Sequence, residues 1–312
     1  MQTMKQRLFK QIDVFTATPY LGNPLAVVLD GSGLDDAAMQ RFAGWTNLSE
    51  TTFLLPPTDP TADYRVRIFT PGGELPFAGH PTLGSCHSWL QAGGQPRNKD
   101  FIIQECKVGL VKIRREPLDT EGQRLAFAAP PLKRSAPSPM LLAQVAAALG
   151  LKAPQILAAQ LLDNGPLWLG LLLDSPETVL QLNPNHQALD KLEAKVGVAA
   201  IYPRQEAPPL IARANREARA FGPATAAAGV APDLEVRAFA ATIGINEDPV
   251  TGSLNASLAQ WLIDEGYLPE RYEASQGVCL GRAGQVQLTR DAAGQVWVGG
   301  ESVTCIDGQV ML

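Results

Sequence analysis

The chain has 312 residues, of which 46% are hydrophobic and 18% charged, and its formal net charge is −5. This balance predicts a globular protein with enough apolar material for one large domain or two smaller ones. The sequence carries no Lys/Arg-rich block, which disfavours nucleic-acid binding, and no apolar run of the length expected for a signal peptide or a membrane span. We therefore expect a soluble, cytoplasmic protein that binds neither nucleic acid nor membrane.

The cysteines and histidines offer no convincing metal or disulfide pattern. His80 and His87 can share one helix face, but two ligands without a third make a weak metal site, so no metal is expected. The cysteines lie far apart with no C-x-x-C pair, which is typical of reduced thiols. They are Cys86, Cys106, Cys279 and Cys305.

The pattern of apolar residues along the chain predicts a mixed α+β fold and not a regular βαβ series. In the first half it predicts strands at 9–15 and 25–29, a helix near 37–45, strands at 51–55 and 64–69, and then a further helix and strands. In the second half it predicts helices at 140–149 and near 175–182. The Ala/Pro-rich stretch 207–230 is expected to be an extended loop or an irregular helix.

The two halves of the chain resemble each other at several places in the same order. The matching pairs are 67–69 (RIF) with 237–239 (RAF), 80–85 (HPTLGS) with 248–253 (DPVTGS), and 109–114 (GLVKIR) with 284–289 (GQVQLT). Several matches in one order favour duplication over chance similarity. A polar stretch at 119–122 precedes a new apolar segment, and we place the domains at 1–124 and 125–302.

The central repeated motif places a proline directly before a helical pattern in both copies. Proline suits the first helical turn because its missing N–H is not needed there, and Asp248 can then serve as an N-cap. Two capped core helices explain either motif taken alone. If duplication relates the halves by a pseudo-twofold axis, however, both helix N-termini face one cleft, where their free N–H groups would suit a substrate carboxylate.

Glu50 stands at the start of a β-branched and apolar segment, 51–55. A carboxylate at the mouth of a buried strand loses solvation, which raises its pKa and fits it for proton transfer near neutral pH. The alternative is an ordinary surface glutamate at a strand end, the usual location of this residue type. Spacing alone favours that alternative.

Long motifs across the chain resemble those of the phenazine-biosynthesis (PhzF-like) family. They are 22–27 (GNPLAV), 47–53 (NLSETTF), 67–71 (RIFTP), 74–82 (ELPFAGHPT), 244–253 (GINEDPVTGS), 276–277 (QG) and 281–282 (GR). The resemblance implies a diaminopimelate-epimerase-like fold, with two pseudo-symmetric domains that each wrap a curved sheet around a central helix. It also implies that 303–312 returns to complete the first domain, that the active site lies between the domains, and that the protein is a homodimer.

The same resemblance implies roles for individual residues. Glu50 matches the family's catalytic acid/base, and His80 and Asp248 match residues that assist it. Three further residues, Gly79, Gly252 and Ser253, fall where the family's motifs line the substrate pocket. In the phenazine enzyme the glutamate moves a proton on a dihydro-hydroxyanthranilate without metal, flavin or nicotinamide, so a cofactor-independent isomerase of a small carboxylate-bearing metabolite is expected.

Epimerases of this fold use two cysteines, one at each helix start, and neither motif of this chain contains one. Two-thiol racemisation is therefore disfavoured. An epimerase or racemase of an amino or hydroxy acid stays open if Glu50 works with His80 or Asp248 on opposite faces of the substrate. A non-catalytic protein that binds a small molecule on the same fold is the third hypothesis, and the joint presence of the three polar residues argues against it.

Overall fold

The computed structural model describes residues 4–117, 123–203 and 231–312, and it confirms the mixed α+β fold. The first half of the chain contains, in order, β1 (Gln6–Val14), β2 (Asn23–Val28), α1 (Asp36–Thr46), β3 (Glu50–Leu55), β4 (Tyr64–Thr70), β5 (Gly73–Leu75), α2 (Gly79–Gln91), β6 (Phe101–Cys106), β7 (Gly109–Pro117) and β8 (Gln123–Ala128).

The second half repeats this order with added helices. It contains β9 (Lys133–Ser135), α3 (Pro139–Leu149), β10 (Ile156–Asp163), β11 (Leu167–Leu173), α4 (Pro176–Gln181), α5 (His186–Lys191), β12 (Val196–Ile201), β13 (Leu234–Ala240), β14 (Ile245–Asp248), α6 (Gly252–Asp264), β15 (Arg271–Gln276), β16 (Gly284–Arg290), β17 (Val296–Gly300) and β18 (Ser302–Met311). The strands and helices predicted from the sequence are confirmed to within a few residues. The prediction for 207–230 lies outside the described residues.

Strand pairing follows the same scheme in both halves. In the first half β1–β2 pair antiparallel, β2–β3 parallel, β3–β4 antiparallel, β4–β6 parallel, and β6–β7–β8 antiparallel. In the second half β10–β11, β11–β12, β12–β13, β13–β15 and β15–β16–β17 repeat that series of directions. The two sheets join where β17 pairs with β8. The repeat seen in the sequence is therefore a repeat of topology.

The strand that follows each repeat (β9 after β1–β8, β18 after β10–β17) pairs with the first strand of the other repeat. β18 pairs antiparallel along β1, from Gln6 opposite Met311 to Val14 opposite Ser302, while β9 pairs with β10. The predicted boundary between 124 and 125 falls inside β8, which pairs with strands of both halves. The domain limits stay a prediction.

A buried helix occupies the centre of each half. α2 contacts β1, β2, β3, β8 and β18, and α6 contacts β10, β11, β16 and β17. Residues on most sides of both helices are buried, as expected for helices that pack inside a sheet and do not lie on a surface. Close approach needs small residues in the sheet: a Cβ on Gly197 would lie 2.3 Å from Leu254 Cδ1 of α6.

A repeated ion pair stands beside each central helix. Arg67 donates to both oxygens of Glu74 at 2.7 and 2.9 Å, and Arg237 donates to both oxygens of Glu247 at 2.9 and 2.8 Å. Such bidentate pairs fix orientation as well as charge. Each links the middle of a long strand, β4 or β13, to the short strand that leads into α2 or α6.

The remaining helices cover the outside of the sheets. Asp35 caps α1 by accepting a hydrogen bond from the Ala38 N–H, and Ser138 caps α3 in the same way. α1 packs Met39 and Phe42 against the outer face of the first sheet, whereas α3, α4 and α5 cover the second. Among the described residues, no helix combines the length and apolar character that crossing a bilayer requires.

Candidate active site

The two central helices begin against each other. A Cβ on Gly79 would lie 3.0 Å from Gly252 Cα, and a Cβ on Gly252 would lie 3.0 Å from Gly79 Cα. Only glycine allows two backbones to approach this closely. The N-terminal N–H groups of α2 and α6 therefore meet at one place, as the repeat predicted.

The expected helix start at Asp248 is wrong. Asp248 ends β14, opposite Ala238 in β13, and α6 begins at Gly252 with Thr251 as its N-cap. Strand pairing holds Asp248 in the sheet, and the Gln276 side chain accepts the hydrogen bond from the Thr251 N–H at 3.0 Å. The expected capping role of Asp248 thus falls to a distant glutamine.

The register of the repeat also differs from the one suggested by the sequence. The motif alignment sets Gly84 against Gly252, but in the structure Gly79 faces Gly252 and both begin a helix. His80 and Ser253 therefore occupy the same position in the two helices. Pro81 lies in the first turn of α2, whereas Pro249 lies before α6.

Glu50 is the first residue of β3 and is buried, with 9% of its surface exposed. The ordinary surface glutamate that spacing alone favoured is therefore wrong. Glu50 Oε2 lies 3.3 Å from His80 Nε2, which is also buried. Their alignment does not make a hydrogen bond, and neither atom has another partner in the described part of the chain. Buried polar atoms without partners are rare in folded proteins and mark positions that a ligand can satisfy.

Burial sets the protonation of this pair. Loss of solvent, and then the negative charge of Asp248, raises the pKa of Glu50 to about 8. Loss of solvent lowers the pKa of His80 to about 3. The separation would suit an ion pair only if His80 were charged, and its burial disfavours that form. At neutral pH the proton therefore resides on the Glu50 carboxyl, beside a neutral imidazole.

Asp248 is held from both halves of the molecule. Its Oδ2 accepts a hydrogen bond from the Thr251 hydroxyl at 2.6 Å, and its Oδ1 accepts one from Asn23 Nδ2 at 2.9 Å. Burial raises the pKa of Asp248 to about 6, although both hydrogen bonds oppose that shift. Its charge acts on Glu50, which couples the carboxyl groups of the two halves.

Ser253 is the second residue of α6 and is partly exposed. Trp168 Nε1 donates to its Oγ at 3.2 Å, and Asn164 Nδ2 donates to its backbone oxygen at 2.9 Å. Lys195 precedes β12, is partly buried, and lowers the pKa of Glu50 through its positive charge. Burial in turn lowers the pKa of Lys195.

The structure brings together the six residues predicted for the site. His80 contacts Glu50, Gly79 contacts Gly252, Ser253 follows Gly252, and Asp248 acts electrostatically on Glu50. Four residues at the site had no role assigned from the sequence: Asn23, Trp168, Lys195 and Gln276. Asn23 and Gln276 lie in motifs of the family resemblance, but Trp168 and Lys195 carry no local signal.

Among the described residues, the two helix starts contain neither a metal-ligand cluster nor a cysteine. In residues 4–117, 123–203 and 231–312, no group of three or more His, Cys, Asp or Glu side chains is arranged to hold a metal ion. Cys86 and Cys106 are buried, Cys305 is partly exposed and Cys279 is exposed. None of them stands at the first residues of α2 or α6. The polar groups available at the helix starts are carboxyl, imidazole, hydroxyl and backbone N–H.

Sequence comparison finds full-length relatives. Residues 12–308 match the profile of a family described as phenazine biosynthesis-like protein. A trans-2,3-dihydro-3-hydroxyanthranilate isomerase of Pseudomonas aeruginosa is 32% identical over 309 residues, covering 96% of this chain and 98% of that protein. Antisense-enhancing sequence 1 of Schizosaccharomyces pombe is 35% identical over 318 residues, covering 98% and 99%.

Solved structures agree with the fold. A PhzF-family phenazine biosynthesis protein of Bacillus anthracis superposes with a TM-score of 0.80 at 21% identity, covering 99% of this chain and all (100%) of that one. A predicted epimerase from Pseudomonas aeruginosa gives a TM-score of 0.74 at 28% identity, covering 97% and 99%. A probable proline racemase from Agrobacterium radiobacter shares the fold alone, with a TM-score of 0.61 at 14% identity and coverage of 99% and 93%. The expected diaminopimelate-epimerase-like fold is confirmed.

Proposed function

This chain belongs to the phenazine biosynthesis-like (PhzF) family of isomerases, and from that premise we propose that Glu50 isomerises a small carboxylate-bearing substrate by moving a proton. The observation that carries the proposal is the buried contact between Glu50 Oε2 and His80 Nε2, 3.3 Å apart, two atoms that have no hydrogen-bond partner among the described residues. A carboxyl group with a pKa of about 8 can both accept and release a proton near neutral pH.

The step needs only this proton. The Glu50 carboxylate takes a proton from a substrate C–H bond, and the electron pair of that bond moves into the adjacent π system. The Glu50 carboxylic acid exchanges its proton with solvent and then protonates another carbon of the same molecule. The double bond shifts, nothing is oxidised or reduced, and Glu50 ends in its starting form.

The neighbours of Glu50 support this cycle in different ways. The neutral His80 imidazole, 3.3 Å away, adds no positive charge that would draw the proton off the carboxyl. The Asp248 charge keeps the pKa of Glu50 high. The backbone N–H groups of Gly79 and Gly252, at the positive ends of two helices, suit the substrate carboxylate, and Ser253 adds a hydroxyl donor beside them.

The substrate class follows from the relatives. The Pseudomonas aeruginosa relative is named for a dihydro-hydroxyanthranilate, a small ring that bears a carboxylate. We propose a small cyclic carboxylate for this chain as well. Independence from metal and redox cofactors, a homodimer and a cytoplasmic location stay predictions.

An epimerase is the second candidate. Each half supplies one carboxyl group with a raised pKa, Glu50 and Asp248, and two such groups on opposite faces of a carbon could invert it. Glu50 and His80 are too close together to serve as opposed bases. An epimerase would place solvent deuterium on the carbon that loses the proton, with inversion. An isomerase would place it on another carbon.

The test is a screen of small cyclic carboxylates in deuterium oxide. We expect wild type to incorporate deuterium and Glu50→Gln to lose about 10²- to 10⁴-fold of that rate, because the amide cannot carry the proton. The matched control is Glu235→Gln, since Glu235 on β13 is also buried with a raised pKa but accepts a hydrogen bond from the Tyr202 hydroxyl. Equal incorporation by Glu50→Gln and wild type would refute Glu50 as the proton carrier.

A further inference from the structure

Trp168 makes a hydrogen bond that fixes the direction of the Ser253 hydroxyl. Trp168 lies on β11 with 4% of its surface exposed, and its Nε1 is 3.2 Å from Ser253 Oγ. Asn164 holds the Ser253 backbone oxygen at 2.9 Å from the same side of the molecule. Ser253 itself is partly exposed at the start of α6. One residue is thus anchored at two atoms by buried side chains of the β10–β11 hairpin.

Only one of the two partners in this hydrogen bond can be the donor. An indole N–H can only donate, so Ser253 Oγ must be the acceptor. The hydroxyl proton must then point elsewhere, and Ser253 Oγ makes no other hydrogen bond in the described part of the chain. A serine hydroxyl normally offers either a proton or a lone pair to a ligand. Here Trp168 occupies one lone pair of Ser253 Oγ, and the hydroxyl proton is left for a ligand beside the first backbone N–H groups of α6.

The corresponding position in the first half has no side-chain hydrogen-bond donor. Leu25 pairs with Glu50, the first residue of β3, and Leu169 pairs with Val196, the first residue of β12. The residues before them, Pro24 and Trp168, are therefore equivalent. Proline has no N–H to donate. Among the described residues, the hydrogen bond from Trp168 to Ser253 therefore has no counterpart in the first half.

We propose that Trp168 is a positioning residue that makes the α6 side of the site select a carboxylate over a neutral carboxamide of the same shape. A carboxylate accepts at both oxygens, whereas a carboxamide has one acceptor oxygen and turns its NH₂ group toward the second of two donors, the Ser253 hydroxyl or a backbone N–H of α6. The proposal deepens the proposed function and rests on it, since it assumes that the substrate carboxylate binds at the start of α6.

The experiment compares anthranilate with anthranilamide by calorimetry on the full chain. We expect wild type to prefer anthranilate and Trp168→Phe to bind it about five- to tenfold more weakly, with little change for anthranilamide, because a hydrogen bond to a charged group loses its orientation. Replacement of Trp168 by benzothienylalanine, which keeps the ring shape and lacks only the N–H, should give the same change if Trp168→Phe folds poorly.

Trp297→Phe is the matched control. Trp297 is 5% exposed, its Nε1–H donates to Asp291 at 2.8 Å, and its ring stacks on Phe101. The Trp297→Phe variant therefore also loses one indole hydrogen bond. Its ratio of anthranilate to anthranilamide affinity should equal that of wild type. A fall in that ratio for Trp297→Phe as large as for Trp168→Phe would reduce the effect to general packing and overturn the proposal.

Ser253→Ala separates this inference from the proposed function. If Ser253→Ala leaves anthranilate binding unchanged, the carboxylate does not bind there and this inference is refuted, whereas proton transfer by Glu50 is tested separately by deuterium incorporation. If Ser253→Ala weakens anthranilate and Trp168→Phe does not, the carboxylate site stands and only the role of Trp168 is refuted. If the Trp168 effect vanishes in the Ser253→Ala background, the two residues act as one unit, as proposed.

Discussion

The starts of α2 and α6 occupy equivalent positions in the two halves, yet the polar groups beside them differ in their hydrogen bonding. At α2, Glu50 Oε2 and His80 Nε2 are buried without a hydrogen-bond partner in the described residues. At α6, both carboxylate oxygens of Asp248 accept hydrogen bonds, and Ser253 Oγ accepts one from Trp168. The titratable groups at the start of α2 lack partners, whereas the carboxylate and hydroxyl at the start of α6 are hydrogen-bonded, although Asn255 Oδ1 in the first turn of α6 also lacks a partner among the described residues.

This difference indicates that the halves have specialised after duplication. The position of Glu50 is taken in the second half by Val196, and the position of Trp168 is taken in the first half by Pro24. Burying unpaired polar groups costs stability, so a half that keeps them needs a reason beyond folding. We infer that the first half transfers the proton and the second half holds the substrate.

The largest expected effect comes from forcing the two helix starts apart. In Gly79→Ala the new Cβ would lie 2.8 Å from Phe127 Cζ and 3.0 Å from Gly252 Cα. Because backbone cannot yield as a side chain does, we expect about 1–3 kcal/mol of lost stability in urea unfolding, together with loss of deuterium incorporation.

The control for that variant is Gly44→Ala. Gly44 lies in α1 with open space around it, so alanine should stabilise the helix by about 0.5–1 kcal/mol and leave activity intact. A Gly79→Ala protein as stable and active as wild type would show that close contact between the helix starts is not required.

The repeat in the sequence predicted the two central helices and their meeting, because motif order survives duplication. It did not predict where α6 begins. Pro249 suggested a first helical turn, but pairing of β14 with β13 keeps Asp248 extended and delays the helix to Gly252. A distant strand partner overrode a local signal, and Gln276 replaced the expected cap.

The burial of Glu50 could not be predicted from local sequence patterns either, because it also depends on a part of the chain that is distant in sequence. Its solvation is removed by α2, which packs against β3 from a later part of the chain. Trp168 and Lys195 act on the site from the other half, so no spacing near Glu50 or His80 points to them. The family resemblance indicated the residues that we propose to carry the chemistry, and the structure adds those that act on their pKa and orientation.

The next effect concerns the coupling between the carboxyl groups of the two halves. If Glu50 is the base in free enzyme, kcat/KM rises with pH through the pKa of Glu50, about 8. The Asp248 charge raises that pKa, so Asp248→Asn should lower it and move the rising limb to lower pH. The pH profile of kcat/KM measures this shift independently of any loss in rate. A rising limb that moves to higher pH or stays at the same pH would contradict the coupling.

The smallest expected effect has the opposite sign. Lys195 lowers the pKa of Glu50 through its charge, and this influence is weaker than those of burial and Asp248. Lys195→Met should therefore raise the pKa of Glu50 slightly and move the rising limb to higher pH. Lys191→Met removes an exposed charge at the end of α5 and should leave the limb in place. If Lys195→Met and Asp248→Asn moved the limb in the same direction, the shifts would report altered packing at Glu50. Opposite shifts, with none for Lys191→Met, would show that the second half tunes the proton carrier of the first by charge.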